Sequence, residues 1–173
     1  MKRMAHWTLL GALGLLLMRG VESAPAQGDK KGPDAAALER TRDQVKMLDT
    51  LYKTAVVSIT NSYIEGQSSV PAAMVAKDVF AAMHTNGYHT ARLIDATGKP
   101  KNKKNVANTE FEKKAVEQMK AGKAYYEEVA VADGKHVLRV ATVVPVVLKA
   151  CATCHGKKEG ALLGAIVYEL PIK

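Results

Sequence analysis

Cysteine is scarce in this sequence of 173 residues, which contains only Cys151 and Cys154. Two cysteines exclude a scaffold held by several disulfides, and also a zinc or iron–sulfur site made of four cysteines. The glycine-rich phosphate loop, the nucleophile elbow and the His-Glu-x-x-His helix are missing as well. The adjacent Glu127 and Glu128 would point to opposite faces of a strand, so they make a poor acid–base pair. We therefore predict that the protein is not an enzyme.

The N-terminal apolar run, from Trp7 to Met18, is too short to cross a bilayer, which takes about 20 residues. It follows a basic start and precedes small residues up to Ala26, which is the layout of a secretory signal peptide. We predict a signal peptide over residues 1–26, with two alternative cleavage zones at 21–23 and 24–26. An uncleaved anchor is the alternative. Cleavage would leave an exported, periplasmic domain with no stable membrane span and no tryptophan.

Basic residues exceed acidic ones, with 25 Lys and Arg against 17 Asp and Glu and a net charge of +8. Removal of residues 1–26 takes away three basic residues and one acidic residue, so the mature chain carries a net charge of +6. Export makes nucleic acid an unsuitable partner for this charge. Solubility and attraction to an acidic partner protein are the remaining explanations.

Residues 27–36 are predicted to form a polar linker, and residues 37–173 a single domain. Asp34 is placed to cap a long helix that runs to about Tyr63, because apolar residues recur at helical spacing at Leu38, Val45, Leu48, Tyr52, Val56, Ile59 and Tyr63. A second helix is expected to open at Ser69 and Pro71 and to end at Gly87. Thr109 and Glu112 form a capping box for a third helix, which ends before Gly122.

Four strands are predicted, over residues 88–95, 125–132, 135–144 and 164–170. Asp133-Gly134 separates the second strand from the third and is a strong signal for a two-residue hairpin. Pro145 ends the third strand or marks it as an edge. This order of elements predicts an α+β domain with a mostly antiparallel sheet. The last strand ends close to Lys173, so we expect no attached kinase or chemotaxis domain.

The motif Cys151-Ala152-Thr153-Cys154-His155 is typical of covalent attachment of haem c in an exported protein. Two thiols at this spacing can each bond one vinyl group of a single haem, and His155 then supplies the proximal imidazole to the iron. Three other interpretations remain open. They are a disulfide-exchange site, a zinc site and a plain disulfide.

The sequence resembles the PAS-like c-type haem domains of bacterial periplasmic sensors and small haem proteins. The resemblance covers about residues 45 to 173. Its matching features are the helix around Leu48 to Tyr63, Arg92 with Asn102 and Asn105, the Asp133-Gly134 turn, Cys151 to Gly156, Gly164-Ala165, and Glu169-Leu170-Pro171. It implies a PAS-like fold with one haem between the sheet and the N-terminal helices, and it implies redox or diatomic-gas sensing. Some similar proteins use a cysteine of the long helix as second axial ligand, which is impossible here because both cysteines lie in the motif.

His89 is the first candidate for the ligand opposite His155, because it shares a strand face with Ala91 and Leu93. A hydrogen-bonded core histidine is the alternative role for this residue. An open or water-occupied sixth site is a further alternative. The other candidate ligands in the predicted mature chain are His84, His136, Met47, Met74, Met83 and Met119.

Arg92 and Arg139 are candidates for neutralising haem propionates, or are simply exposed strand charges. Three lysines flank the motif (Lys149, Lys157 and Lys158), and four lie in one loop (Lys99, Lys101, Lys103 and Lys104). These lysines either attract an acidic redox partner or only maintain solubility.

We therefore predict an exported monohaem c-type cytochrome-like protein that acts in electron transfer or redox response with a partner protein. The alternative is a haem-based sensor of a diatomic gas or of redox state that signals through a separate protein. A small peroxidase is a weaker hypothesis, because the sequence shows no distal acid–base pair. The oligomeric state stays open, since the long first helix suits a dimer contact as well as a haem cover.

Overall fold

A four-stranded antiparallel sheet lies at the centre of the fold in the computed structural model, which describes residues 32–66 and 72–173. The predicted signal peptide, residues 27–31 of the linker and the Ser69–Pro71 cap lie outside the described residues. The helices are α1 (Ala35–Gly66), α2 (Ala72–Thr85), α3 (Glu110–Lys120) and α4 (Lys149–His155), with a short 3-10 helix at Lys103–Asn105. The strands are β1 (Thr90–Asp95), β2 (Tyr125–Ala132), β3 (Lys135–Pro145) and β4 (Leu162–Pro171).

The strands are arranged in the order β1-β4-β3-β2, and every neighbouring pair is antiparallel. β2 and β3 form the predicted hairpin, with φ of 49° at Asp133 and 73° at Gly134. Positive φ at both central residues is what a two-residue type I′ turn requires. The predicted α+β class, with a long N-terminal helix and an antiparallel sheet, is confirmed.

One face of the sheet is covered by α1 and α2. Asp34 caps α1 as predicted, because its Oδ1 accepts a hydrogen bond of 2.8 Å from the backbone N–H of Ala37. Leu38, Val45, Leu48, Tyr52 and Val56 of the apolar stripe lie in or against a core made of Val45, Tyr52, Ala76, Phe80, Leu138, Val140, Ile166, Tyr168 and Leu170. The periodicity of the sequence therefore identified the buried side of this helix.

The opposite face of the sheet is covered by α3. The predicted capping box is present, with the Thr109 side chain accepting from the backbone N–H of Glu112 and the Glu112 side chain accepting from the backbone N–H of Thr109. The second core consists of Ile94, Phe111, Ala115, Met119, Ala141, Ala165 and Val167. Within the ranges that the structure describes, no helix combines the length and the apolar character needed to cross a bilayer.

The two ends of the sheet carry different connections. At the α4 end, β1 and β3 finish, β2 and β4 begin, and α4 connects β3 to β4. At the hairpin end lie the Asp133-Gly134 turn, the start of β1 and the end of β4. The loop that contains α4 is closed at its base by two hydrogen bonds, Val146 N–H to Ala161 O at 2.9 Å and Gly160 N–H to Val146 O at 2.8 Å.

Candidate functional site

The cysteine motif forms a helix, α4, that we did not predict from the sequence. It has no side-chain cap at its N-terminus, and it ends at Gly156, which adopts the left-handed conformation with φ of 61°. Residues three apart lie on one side of a helix. α4 therefore presents Cys151 and Cys154 on a common side and places His155 at the end of its last turn.

The side chains of the motif are accessible. Cys151 is half-buried, whereas Cys154 and His155 are exposed. Both thiols are free. Within the described part of the chain, the His155 ring has no hydrogen-bond or ion-pair partner. Two unbonded thiols and an unengaged imidazole on one surface helix are the donor set that covalent haem attachment needs.

The surroundings of α4 bear on the zinc and disulfide-exchange interpretations of the motif. Zinc would require further ligands beside the two thiols, but the described residues contain no group of three or more His, Cys, Asp or Glu side chains placed to hold a metal ion. A thioredoxin-like exchange site would follow the first strand of its fold, whereas α4 immediately precedes the last strand of an antiparallel sheet.

His89 lies far from the motif along the sheet. It immediately precedes β1 at the hairpin end, and the six residues of β1, which ends at Asp95, span about 20 Å of extended strand. Its side chain is buried, and its Nε2 atom forms a hydrogen bond of 2.9 Å with the Tyr52 hydroxyl. The structure does not bring His89 and His155 together, so the geometry favours the hydrogen-bonded core role over axial ligation.

The structure does not place the other candidate histidines beside His155. His84, at the end of α2, and His136, next to the hairpin turn, both lie at the hairpin end. Met119 is buried on the α3 face, and Met47 and Met74 are exposed. Within the described residues, His155 is therefore the one histidine at the α4 end.

Burial lowers the pKa of His89, which makes the stability of the fold depend on pH. In the unfolded chain this histidine titrates near its ordinary pKa of about 6.5, so below that pH the unfolded state binds more protons than the folded state. We expect the free energy of unfolding to fall as the pH is lowered from about 7.5 to about 5.5, measured by urea unfolding. His89→Gln should flatten this dependence, and an equally steep dependence in that variant would contradict the assignment.

Arg92 and Arg139 are engaged in ion pairs within the domain, on the α3 face of the sheet. Arg92 Nη1 lies 2.8 Å from Glu112 Oε1, and its Nη2 donates to the backbone oxygens of Lys104 and Val106 at 3.0 Å each. Arg139 Nε lies 2.6 Å from Glu169 Oε2. The resemblance implies a haem between the sheet and the N-terminal helices, which is the other face of the sheet, so the positions of these arginines do not match a propionate-binding role.

We did not predict from the sequence a polar cluster that lies beneath α1. Asp49 accepts hydrogen bonds from the hydroxyls of Tyr168, at 3.0 Å, and Thr142, and Lys53 pairs with its second oxygen at 2.8 Å. Burial and the nearby Asp49 carboxylate raise the pKa of Tyr168 well above its usual range. In the sequence, Asp49 comes directly after Leu48, which belongs to the apolar stripe of α1. This neighbouring position indicates that the Asp49 carboxylate faces the boundary of the core.

Comparisons with known proteins agree with this architecture. A family model described as Tll0287-like matches residues 33–166, and no curated protein matches the chain. Among solved structures, the crystal structure of the cyanobacterial haem protein Tll0287 matches with a TM-score of 0.50 and 14% sequence identity, over 80% of this chain and 96% of that chain. At that identity the structural match shows a shared fold. Because the family model spans well over half of the sequence and includes α4, the chain belongs to the Tll0287-like family.

Proposed function

We propose that this chain is an exported monohaem c-type protein with a PAS-like fold that takes part in electron transfer. Cys151 and Cys154 would hold one haem covalently, and His155 would be the proximal ligand of its iron. The observation that carries the proposal is the placement of the complete motif on an exposed helix, with both thiols free. Membership of a family that has a solved haem protein as structural neighbour supports it.

The chain supplies the chemistry of attachment with these three residues. Each thiol adds its S–H across one vinyl C=C bond, so that an S–C bond forms and the hydrogen goes to the neighbouring carbon. The addition consumes no oxidant, and it requires the unpaired thiols that α4 presents. The neutral imidazole of His155 would donate a nitrogen lone pair to the iron. When bound, haem supplies one-electron exchange between ferric and ferrous iron.

The α4 end of the fold also offers apolar surface. α2 leads into β1 at the hairpin end, and its residues Ala76 and Phe80 pack in the core on the same face as α1. Val144 of β3, which pairs with Gly164 at the α4 end, is half-buried and packs against the core on this face. A haem held by α4 would find hydrophobic contacts there, on the face of the sheet that the resemblance implies.

Electron transfer is favoured because the attachment helix is exposed. A haem on such a helix would keep one edge close to the protein surface, where a partner can approach it. The competing function is the haem-based sensor, and one observation favours it: the described α4 end has no second histidine. A sixth position without a strong ligand would admit a diatomic gas.

A potentiometric titration of the purified holoprotein, followed by absorption spectra of the reduced form with and without carbon monoxide, separates the two functions. Electron transfer requires a reversible one-electron step and a reduced spectrum that carbon monoxide leaves unchanged. The control is His89→Gln, for which we expect an unchanged reduced spectrum because His89 lies at the hairpin end. A spectrum shifted by carbon monoxide would support the sensor instead, and the lack of a reversible step would remove electron transfer.

A further inference from the structure

Positive charge is concentrated in the connections that begin or end at the α4 end of the fold. Three connections begin or end there, namely residues 96–109, 121–124 and 146–161. Together they contain eight lysines and a single acidic residue, Glu159. The rest of the described chain carries 12 basic and 14 acidic residues, so the basic excess of the domain comes from these connections. We call the eight lysines the basic surface; they are Lys99, Lys101, Lys103, Lys104, Lys123, Lys149, Lys157 and Lys158.

The lysines of the basic surface are unneutralised. All eight are exposed, and none of them forms an ion pair with a described carboxylate. Four lysines elsewhere do form such pairs, and they are Lys46, Lys53, Lys113 and Lys114. Beside the lysine-rich loop, burial lowers the pKa of Lys77, and the positive charges of Lys104 and Arg92 lower it further. The field of the basic surface is therefore available to an external anion.

The backbone of the lysine-rich loop is held in place by polar contacts. Asn102 Oδ1 accepts a hydrogen bond of 2.9 Å from the Lys104 N–H, and the Arg92 guanidinium binds the Lys104 carbonyl oxygen at 3.0 Å. At the start of the loop, Asp95 accepts from the Gly98 N–H at 2.7 Å. Such a loop presents its lysines with little further ordering, which reduces the entropic cost of binding.

We propose that the basic surface is the docking site for the acidic face of a redox partner protein, centred on α4. The inference rests on the proposed function, since docking at this end brings a partner to the group that Cys151, Cys154 and His155 would hold. Complementary charge at such a site steers encounter and raises the association rate. A protein is favoured over a lipid surface because Lys149, Lys157 and Lys158 lie on the same connection as the attachment helix, and a bilayer there would cover the haem edge that the partner needs.

Binding of the haem-loaded protein to immobilised poly-L-glutamate, as a mimic of an acidic protein surface, tests this inference. The variant Lys99→Glu/Lys101→Glu alters the basic surface without touching α4. The control Lys135→Glu/Lys173→Glu makes the same change in net charge; Lys135 lies at the hairpin end and Lys173 is the exposed C-terminal residue. We expect the first variant to bind about tenfold more weakly than the unaltered protein, and the control to change by less than about twofold.

Besides unaltered binding in the first variant, two results would overturn the docking site. One is an equal loss of binding in both variants, which would mean that only net charge matters. The other is tighter binding to phosphatidylglycerol vesicles than to poly-L-glutamate with the same dependence on Lys99 and Lys101, which would make the surface a lipid site. The reduced absorption spectrum of each preparation is recorded beforehand. A missing haem spectrum then counts against the proposed function, whereas intact haem with unaltered binding in the first variant counts against the docking site alone.

Discussion

The double variant Cys151→Ala/Cys154→Ala is expected to lose all covalently bound haem. Both thiols are unpaired on α4, and the chain has no other cysteine that could take their place. The measurement is haem staining after denaturing electrophoresis of protein exported through a c-type maturation system. A stained band is expected for the unaltered protein and none for the double variant. Each single variant keeps one thiol, so we expect a weaker band from it.

Thr153→Ala is the matched control for the cysteine variants. Thr153 lies between the two cysteines and is exposed, so its replacement leaves both thiols and His155 in place. We expect it to retain the stained band. Covalent haem in the double cysteine variant, or its loss in Thr153→Ala alone, would contradict the assignment of the two thiols.

Gly164→Ala is expected to destabilise the fold by about 3 kcal/mol, the upper part of the range for overpacking a tight site. Gly164 pairs with Asp95 where β4 meets β1, and a Cβ atom added to it would overlap the carbonyl oxygen of Ile94. The obstructing atoms belong to the backbone, so no side-chain rotation relieves the clash and the two strands must move apart. The measurement is the free energy of unfolding from denaturant titration.

The control for this variant is Gly32→Ala, because Gly32 has no neighbour within 4 Å of an added Cβ atom. We expect the control to change the free energy of unfolding by less than about 0.5 kcal/mol, as is usual for surface sites. If Gly164→Ala were as stable as the unaltered protein, β1 and β4 would not be as closely paired as they are in the structure. The test bears on function as well, since this strand pair reaches the α4 end.

Features that depend on neighbouring residues were predictable from the sequence. The Asp34 cap, the Asp133-Gly134 turn and the Thr109–Glu112 capping box each act over two to four residues, and the structure contains all three. α4 was not predictable in this way. It is short, it lacks a capping side chain, and its seven residues are too few to show a helical period.

The roles of the charged residues depended on contacts between distant parts of the chain. Arg92 forms an ion pair with Glu112, and Arg139 forms one with Glu169 on the neighbouring strand. The local sequence pattern does not predict such pairs. The alternation of residues in the sequence placed His89 on the correct face of the sheet. The distance between the hairpin end and the α4 end, however, follows only from the strand order. The basic surface likewise comes from three segments, and only the sheet topology shows that each of them begins or ends at the α4 end.

The most direct test of covalent haem attachment is the intact mass of the denatured protein after export. We predict the mass of a chain processed near residue 26 plus the mass of one haem, retained because two thioether bonds survive denaturation. The same mass increase should be absent from Cys151→Ala/Cys154→Ala. An exported chain with the mass of the polypeptide alone, whether its cysteines are free or joined in a disulfide, would contradict covalent haem attachment.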